Sequence, residues 1–184
     1  MLVEHRDDPS RNARSKGRSL PGAEHRSVKP PDNKASVTGF FHCGISVASL
    51  DRSLDFYCGE LGLEIQAQRD ATDEYLRQMH GLPFTVVRLA FLRIPNTTTV
   101  LELLEYRGVD VSRPTYIPMD PGTGHVCFLV DDLEAMYAQL TARGYSARSP
   151  GPIEIVAGPN SGSRAVYFED PDGYPVEFIE RPAH

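Results

Sequence analysis

Two short stretches of the chain combine apolar and polar positions in the same way, and each leads into an apolar pattern of helical period. Residues 41–47 read FHCGISV and residues 124–130 read GHVCFLV. Both are short and rich in residues that favour strands, and both precede apolar side chains spaced three or four apart. We therefore predict a strand followed by a helix in each place, with Ser49 or Asp51 capping the first helix and Asp131 the second.

The two halves of the chain repeat each other in order and spacing. When His42 is aligned with His125, a glycine ends each predicted helix, 20 residues after the first histidine and 19 after the second. Both halves close on an apolar strand with a glutamate in its middle, VLELLE at residues 100–105 and PVEFIE at residues 175–180. The chain is thus predicted to contain one strand–helix–strands unit twice.

Each unit needs two more strands between its helix and the end of the repeat. In the first unit, residues 85–94 predict a strand that a turn joins to the strand at 98–105. In the second unit, strands at 163–169 and 174–179 flank Asp-Pro-Asp-Gly, which predicts a tight hairpin turn. Residues 70–80 are predicted to form a short helical insertion that the second unit lacks.

The residues outside the repeat follow no such pattern. Residues 1–38 are rich in Arg, Ser, Pro and Asp, so we expect a disordered N-terminal tail. The remaining residues, 39–184, are expected to fold as one domain that consists of module one, 39–112, and module two, 120–184. Residues 151–162 are predicted to form a loop.

Composition and charge exclude several classes of function. The tail carries 8 basic and 5 acidic residues, whereas the rest of the chain carries 11 basic and 20 acidic ones and no lysine. This acidic balance disfavours nucleic-acid binding through a broad basic face. No apolar run is long enough to cross a bilayer, and no signal peptide is recognisable. The three cysteines fit buried thiols of a cytoplasmic protein better than a disulfide framework.

Strand parity places the repeated polar residues on one face of each sheet. His42 and Glu102, like His125 and Glu177, lie opposite their apolar strand neighbours. A glutamate within an apolar strand is costly to bury unless it is paired or bound to a cation. If both sheets curl toward each other, the four side chains converge. Two imidazoles and two carboxylates suit Zn²⁺, Ni²⁺, Co²⁺, Mn²⁺ or Fe²⁺.

Several other polar residues are weaker candidates, and a surface or structural role is favoured for most of them. They are Arg88 as a carboxylate ligand, Glu74, Tyr75 and His80 as a lid or second base, and Asn160 and Arg164 at a pocket rim. Tyr167 faces either the cavity or the helix, and parity does not decide between them. Glu105 and Glu180 are expected to be solvated. No set of cations suited to the carboxylates of glutathione is recognisable.

The repeat resembles the vicinal oxygen chelate superfamily, which includes glyoxalase I, methylmalonyl-CoA epimerase, extradiol dioxygenases and the bleomycin- and fosfomycin-resistance proteins. The resemblance is carried by FHCGISVASLDRSLDFYCGELGLEI, VLELLEY, GHVCFLVDDLEAMYAQLTARGY and AVYFEDPDGYPVEFIE, which together span residues 40–180. It implies an α+β fold in which two βαβββ modules form a cupped mixed β-sheet around a divalent metal ion. The metal ligands of the family fall on His42, Glu102, His125 and Glu177.

The same resemblance implies a metal-dependent lyase or isomerase of the glyoxalase I type. In such an enzyme the metal stabilises an enediolate, while Glu102 or Glu177 moves a proton on a small carbonyl substrate. Methylmalonyl-CoA epimerases typically have Gln where Glu102 stands, and iron-dependent dioxygenases use two histidines and one carboxylate. Both remain alternatives, as does a non-catalytic binding or resistance protein.

A second copy of the chain is the expected protein partner. Each module is small enough to be marginally stable alone, and paired modules leave sheet edges that a homodimer can cover. The sequence leaves open whether the metal site forms within one chain or across two.

Overall fold

The structure, a computed structural model, describes residues 35–112, 116, 117 and 119–183. The predicted tail, 1–38, lies outside these residues except for its last four positions. The helices and strands of the described residues all belong to the second of the chain's two units, Thr38–His184. None of the helices in the described residues is long and apolar enough to cross a membrane.

Module one forms a four-stranded mixed sheet. The helix after its first strand, Leu50–Leu54, continues as a π-helical segment over Asp55–Glu60. The elements in chain order are β1 (His42–Ser46), α1 (Leu50–Leu54), β2 (Glu64–Ala71), α2 (Glu74–His80), β3 (Val86–Arg93) and β4 (Val100–Arg107). The strand order across the sheet is β1-β4-β3-β2, and β1 runs parallel to β4.

Module two repeats this topology without the inserted helix. Its elements are β5 (Val126–Val130), α3 (Leu133–Ala142), β6 (Ile153–Glu154), β7 (Arg164–Glu169) and β8 (Pro175–Glu180). The strand order is β5-β8-β7-β6, with β5 parallel to β8. The predicted α+β fold of two βαβββ modules is confirmed, with the strands arranged in two separate four-stranded sheets.

The helix that follows the first strand of each module begins at a side-chain cap. Ser49 precedes α1, and its Oγ accepts a hydrogen bond from the Arg52 N–H at 3.4 Å. Asp132 precedes α3, and its Oδ1 accepts one from the Ala135 N–H at 2.8 Å. The prediction of Asp131 as the second cap is wrong by one residue. The backbone at Asp132 is extended, so the Asp132 carboxylate points at the N–H groups in the first turn of α3.

A glutamate from the last strand of each module caps the same helices. Glu105 Oε2 accepts a hydrogen bond from the Leu50 N–H, and Glu180 Oε2 accepts one from the Leu133 N–H, both at 2.8 Å. The expectation that these glutamates are solvated is wrong, and Glu105 is only 7% exposed. Strand position alone does not reveal that a helix N-terminus, with its unpaired N–H groups, lies over the strand end.

The pKa of Glu105 reflects this setting. Burial raises its pKa, but the Leu50 N–H and the Arg107 guanidinium outweigh that effect, so the pKa lies below its usual value. Arg88 also approaches Glu105, with Nη1 3.1 Å from Oε2. Glu105 is therefore an ionised carboxylate at neutral pH that joins β4 to the start of α1.

The two modules share one hydrophobic core between their helices and sheets. It includes Ile45, Leu50, Phe56, Leu101 and Leu103 from module one and Leu133, Leu140, Val166, Phe168, Val176 and Phe178 from module two. At its edge, the Tyr57 hydroxyl donates to Asp170 Oδ2 at 3.1 Å. Asp170 Oδ1 accepts from the Asp172 and Tyr174 N–H groups, as the predicted hairpin turn requires. This turn therefore docks module two onto the helix of module one.

The positions of two strands were not predicted, although the βαβββ modules require them. Every residue of β2 is exposed except Ala71, so the strand has no apolar alternation to reveal it. Strand β6 has only two residues and lies within the segment 151–162 that was predicted to be a loop. The predicted insertion at 70–80 is confirmed as a helix only over Glu74–His80, since its first residues belong to β2.

Candidate metal site

The first candidate pair lies on two neighbouring parallel strands of module one. His42 is the first residue of β1, and Glu102 on β4 lies opposite Gly44. The His42 Nε2 and Glu102 Oε2 atoms are 3.3 Å apart, and the Glu102 side chain is 14% exposed. A Cβ atom at position 44 would lie 3.5 Å from Glu102 Oε2, in ordinary van der Waals contact with the carboxylate.

The second candidate pair occupies the equivalent place in module two. His125 immediately precedes β5, and Glu177 on β8 lies opposite Cys127. The His125 Nε2 and Glu177 Oε2 atoms are 3.2 Å apart, and the Glu177 side chain is 15% exposed. We refer to His42 and Glu102 as half-site one, and to His125 and Glu177 as half-site two.

The predicted parity of the strands agrees with these positions. The strand neighbours of the two glutamates face the shared core and are Leu101, Leu103, Val176 and Phe178. The glutamates consequently project from the opposite face of each sheet. Each carboxylate is thus largely shielded from water at a position where its neighbours are apolar.

Each pair needs a proton or a cation between its two facing atoms. An unprotonated Nε2 presents a lone pair, and so does the carboxylate oxygen, so the contact is favourable either when Nε2 carries a hydrogen that it donates to the carboxylate or when both atoms bind one cation. Two donors that each lie about 2.1 Å from one metal ion are about 3.0–3.4 Å apart when the angle between them is 90–109°. The separations of 3.3 Å and 3.2 Å fit this range. The donor types also match a first-row divalent ion.

One chain does not bring the two half-sites together. Within the residues that the structure describes, no three His, Cys, Asp or Glu side chains are grouped so that they could hold one ion. The expected convergence of four donors is therefore not found in a single chain. The reason is topological, because β1 and β5 are edge strands of two separate sheets. Each half-site lies beside a strand edge that has no partner in its own sheet.

Half-site one has apolar surroundings. Phe91 on β3 lies opposite Glu102, and its ring centroid is 6.1 Å from that of His42. Further along the same face of the sheet, α2 packs onto an apolar cluster formed by Ala71, Leu76, Phe84, Val87, Leu89 and Leu104. The inserted helix therefore contributes Leu76 to an apolar cluster on the sheet face that carries His42 and Glu102.

Half-site two has polar surroundings. Tyr167 on β7 lies opposite Glu177, and its hydroxyl is 3.3 Å from His125 Nε2. Partial desolvation, together with the charge and hydrogen bonding of Glu177, raises the pKa of Tyr167 to about 12. All three cysteines are free, as predicted, but they are not buried, and Cys127 is exposed because it lies on the face of β5 opposite the core-facing Val126 and Phe128.

Open cavities adjoin half-site two. One has a volume of about 360 Å³ and is lined by Thr123, Gly124, His125, Arg148, Tyr167 and Pro175. A second, of about 330 Å³, shares Arg148 and Tyr167 with the first and reaches Glu177. Volumes of this size suit a small ligand. Arg148 is itself engaged by Glu169, with Nη2 3.3 Å from Oε1.

The weaker candidates lie away from both half-sites or are engaged elsewhere. Arg88 lies on the helix side of its sheet, where it pairs with Asp51 at 3.0 Å and with Glu105. Arg164 likewise pairs with Glu134 of α3. In the insertion, the His80 Nδ1 atom is 2.7 Å from the Tyr106 hydroxyl, which fixes the end of α2 to β4. These contacts assign the side chains structural roles.

Other contacts in the insertion are local. Glu74 pairs with Arg77, and the Tyr75 hydroxyl accepts a hydrogen bond from Arg69 at 3.0 Å.

Asn160 of module two lies in an exposed turn, where its backbone carbonyl accepts a hydrogen bond from the Ser163 N–H.

Tyr167 is the functional candidate whose orientation the sequence left undecided. It faces the cavity and touches half-site two. The residue opposite Glu102 is Phe91 and the residue opposite Glu177 is Tyr167, but the two lie at different distances from their glutamates along the chain, so aligning the repeats through the glutamates does not reveal this equivalence.

Residues 39–178 match the family model described as the Glyoxalase/Bleomycin resistance protein/Dioxygenase superfamily. A 2-epi-5-epi-valiolone epimerase of Actinomyces is 30% identical to this chain over 91% of it and 85% of the relative. A lactoylglutathione lyase of Haemophilus influenzae is 34% identical over 76% of this chain and 90% of the relative. The chain spans only 44% of the length of two plant relatives that it also matches.

A solved structure has the same arrangement of elements. The glyoxalase family protein from Bacillus cereus aligns with a TM-score of 0.69 at 23% identity, over 84% of this chain and 100% of that one. At this identity the likeness supports the fold alone.

Proposed function

The chain belongs to the Glyoxalase/Bleomycin resistance protein/Dioxygenase superfamily, and we propose that it is a divalent-metal-dependent lyase or isomerase that moves a proton on a small carbonyl compound. The observation that carries this proposal is the pair of half-sites at equivalent places in the repeat, with Nε2–Oε2 separations of 3.3 Å and 3.2 Å. Packing alone gives no reason to place a shielded glutamate beside a histidine twice.

We propose further that the four donors meet across two copies of the chain. Strands β1 and β5 each leave one edge unpaired in their sheets, and such edges favour association. Exposed apolar side chains accompany both edges, with Phe41 67% exposed and Leu129 61% exposed. Placing β1 of one copy beside β5 of another joins half-site one to half-site two, so a homodimer would hold two complete sites.

The residues of the chain have distinct roles in this proposal. His42, Glu102, His125 and Glu177 would hold the metal ion. When bound, the ion would polarise a carbonyl oxygen and stabilise the negative charge that develops as a neighbouring proton leaves. Glu102 or Glu177 would take that proton on a carboxylate oxygen and return it, at another carbon or on another face. General acid–base catalysis of this kind typically supplies about 10²–10⁴-fold in rate.

The cavity beside half-site two favours a small, polar and weakly charged substrate. Arg148 is the basic residue that lines it, and Glu169 already neutralises that guanidinium. A ligand with several carboxylates would lack counter-charges among the cavity-lining residues that are described. We therefore favour a hydroxylated carbonyl compound, of the kind that the epimerase relative is named for, over lactoylglutathione.

Metal binding and proton exchange test the proposal together. The chelator-treated protein is titrated with Zn²⁺, Ni²⁺, Co²⁺, Mn²⁺ and Fe²⁺, and we expect one ion per chain. In D₂O, the metal-loaded enzyme should place deuterium beside the carbonyl group of 2-epi-5-epi-valiolone, as NMR would detect, and should do so more slowly or not at all with lactoylglutathione. Glu102→Gln should lose exchange, whereas Glu64→Gln, at a side chain that is 76% exposed, should retain it.

Three outcomes would contradict the proposal. Failure of the wild type to bind any of the five ions would remove the metal site, and tight retention of an apolar ligand would then favour a binding protein. Exchange that is independent of metal would remove the mechanism. Oxygen consumption by the iron-loaded enzyme would favour the dioxygenase alternative, because proton transfer consumes no oxygen.

A further inference from the structure

The two half-sites differ in the residue that backs each glutamate. Phe91 lies opposite Glu102 and Tyr167 lies opposite Glu177, at the same register position of the repeat. The Tyr167 hydroxyl is 3.3 Å from His125 Nε2, and the two rings meet edge to face with their centroids 5.3 Å apart. Module two therefore has a hydroxyl in contact with its half-site where module one has only an aromatic ring.

From this difference we infer that Tyr167 is a positioning residue, whose hydroxyl holds His125 and Glu177 in the orientation in which they bind a divalent cation. The inference rests on the proposed metal-binding function and extends it to a residue that is not itself a ligand. Hydrogen-bond partners of metal ligands commonly fix ligand orientation in this way.

The hydrogen-bonding capacity of each group determines which contact the hydroxyl makes. Nε2 of His125 has a single site, so it cannot bind a cation and also accept a hydrogen bond from Tyr167. The Glu177 carboxylate has two oxygens with lone pairs to spare. With a cation on Nε2, the Tyr167 hydroxyl is left to donate to Glu177, which lies opposite it in the strand register, and one carboxylate oxygen stays free to bind the cation.

Half-site one lacks this restraint. Neither Phe91 nor Gly44, the two residues that flank Glu102 across the sheet, has a side chain that can donate a hydrogen bond. Glu102 must be oriented by His42 and by packing alone among these neighbours. Half-site two is consequently the better organised of the two before a cation arrives.

The test removes the hydroxyl and retains the ring. Tyr167→Phe reproduces the residue that module one already has at this register, so the variant should fold, as the thermal melting of the metal-free protein would verify. Its matched control is Tyr75→Phe. Tyr75 lies on the inserted helix α2, and the variant removes a hydroxyl whose contact is with Arg69 of β2. Wild type and both variants are titrated with Co²⁺, and the visible absorption spectrum of the bound ion is recorded.

We expect Tyr167→Phe to raise the Kd for Co²⁺ by about 10–100-fold, as is typical when a hydrogen-bond partner of a ligand is lost, and to alter the Co²⁺ absorption bands. Tyr75→Phe should match the wild type in both measurements. An unchanged Kd and spectrum in Tyr167→Phe would overturn the inference while the proposed function stands. Absence of Co²⁺ binding by the wild type would instead overturn the proposed function, and the inference with it.

Discussion

Module one and module two hold the same histidine–glutamate pair at the same register but differ in what surrounds it. In module one the insertion α2 contributes to an apolar cluster on the same sheet face, and Phe91 lies beside the pair. In module two cavities adjoin the pair, and Tyr167 and Cys127 lie beside it. The two modules thus share the histidine–glutamate pair, while its surroundings are apolar in module one and polar in module two.

Mixing two defective chains gives the largest expected effect, because it tests whether the modules of different copies cooperate. One chain carries His42→Ala and Glu102→Ala, and the other carries His125→Ala and Glu177→Ala. Neither should bind metal tightly alone, since each lacks one half of every site. A mixed dimer, purified through two different tags, should bind one ion per two chains, because one of its sites combines two intact halves.

The mixed dimer also separates the competing arrangements. If each site formed within one chain, the mixed dimer would bind no metal, because both of its chains would be defective. Tight binding by either variant alone would show that the four donors do not share an ion. Metal analysis of the purified dimers distinguishes these results.

The strands were predictable where at least one face is buried and obscure where neither face is. Strand β4 is an almost continuous apolar run with apolar residues buried on both faces, and such a run shows in the sequence. Strand β2 pairs only with β3 and is exposed, so its composition carries no periodic signal. Backbone hydrogen bonds to β3 hold β2 in the sheet, and such bonds leave no pattern of side-chain types in the sequence.

The two histidine–glutamate pairs were predictable, whereas their separation within one chain was not. Strand parity and the repeat identify His42, Glu102, His125 and Glu177, and the structure places them in two close pairs. How two sheets are joined depends on contacts between edge strands, which have no local pattern. The capping roles of Glu105 and Glu180 were missed for a related reason, since they depend on a helix end that lies far away in sequence.

These two capping glutamates provide the next comparison between the modules. Glu105 caps α1 and pairs with two arginines, whereas Glu180 caps α3 and is less buried. We expect Glu105→Ala to lower the free energy of unfolding by about 2–3 kcal/mol and Glu180→Ala by about 1 kcal/mol. Urea unfolding measures both. Equal losses would show that the arginine pairs around Glu105 add nothing to the cap.

The smallest expected effect is the pH dependence of the cap on α1. Because the folded-state pKa of Glu105 is lowered, its stabilisation is present above the ordinary pKa of about 4.3 and is lost as the pH falls through the folded-state value. Glu105→Gln, which mimics the protonated side chain, should be less stable than the wild type by about 1 kcal/mol at pH 6. The difference should narrow toward pH 3, while the exposed variant Glu64→Gln should match the wild type at both values. A difference that persisted at pH 3 would show that the shape of the Glu105 side chain, and not its charge, supports the start of α1 in module one.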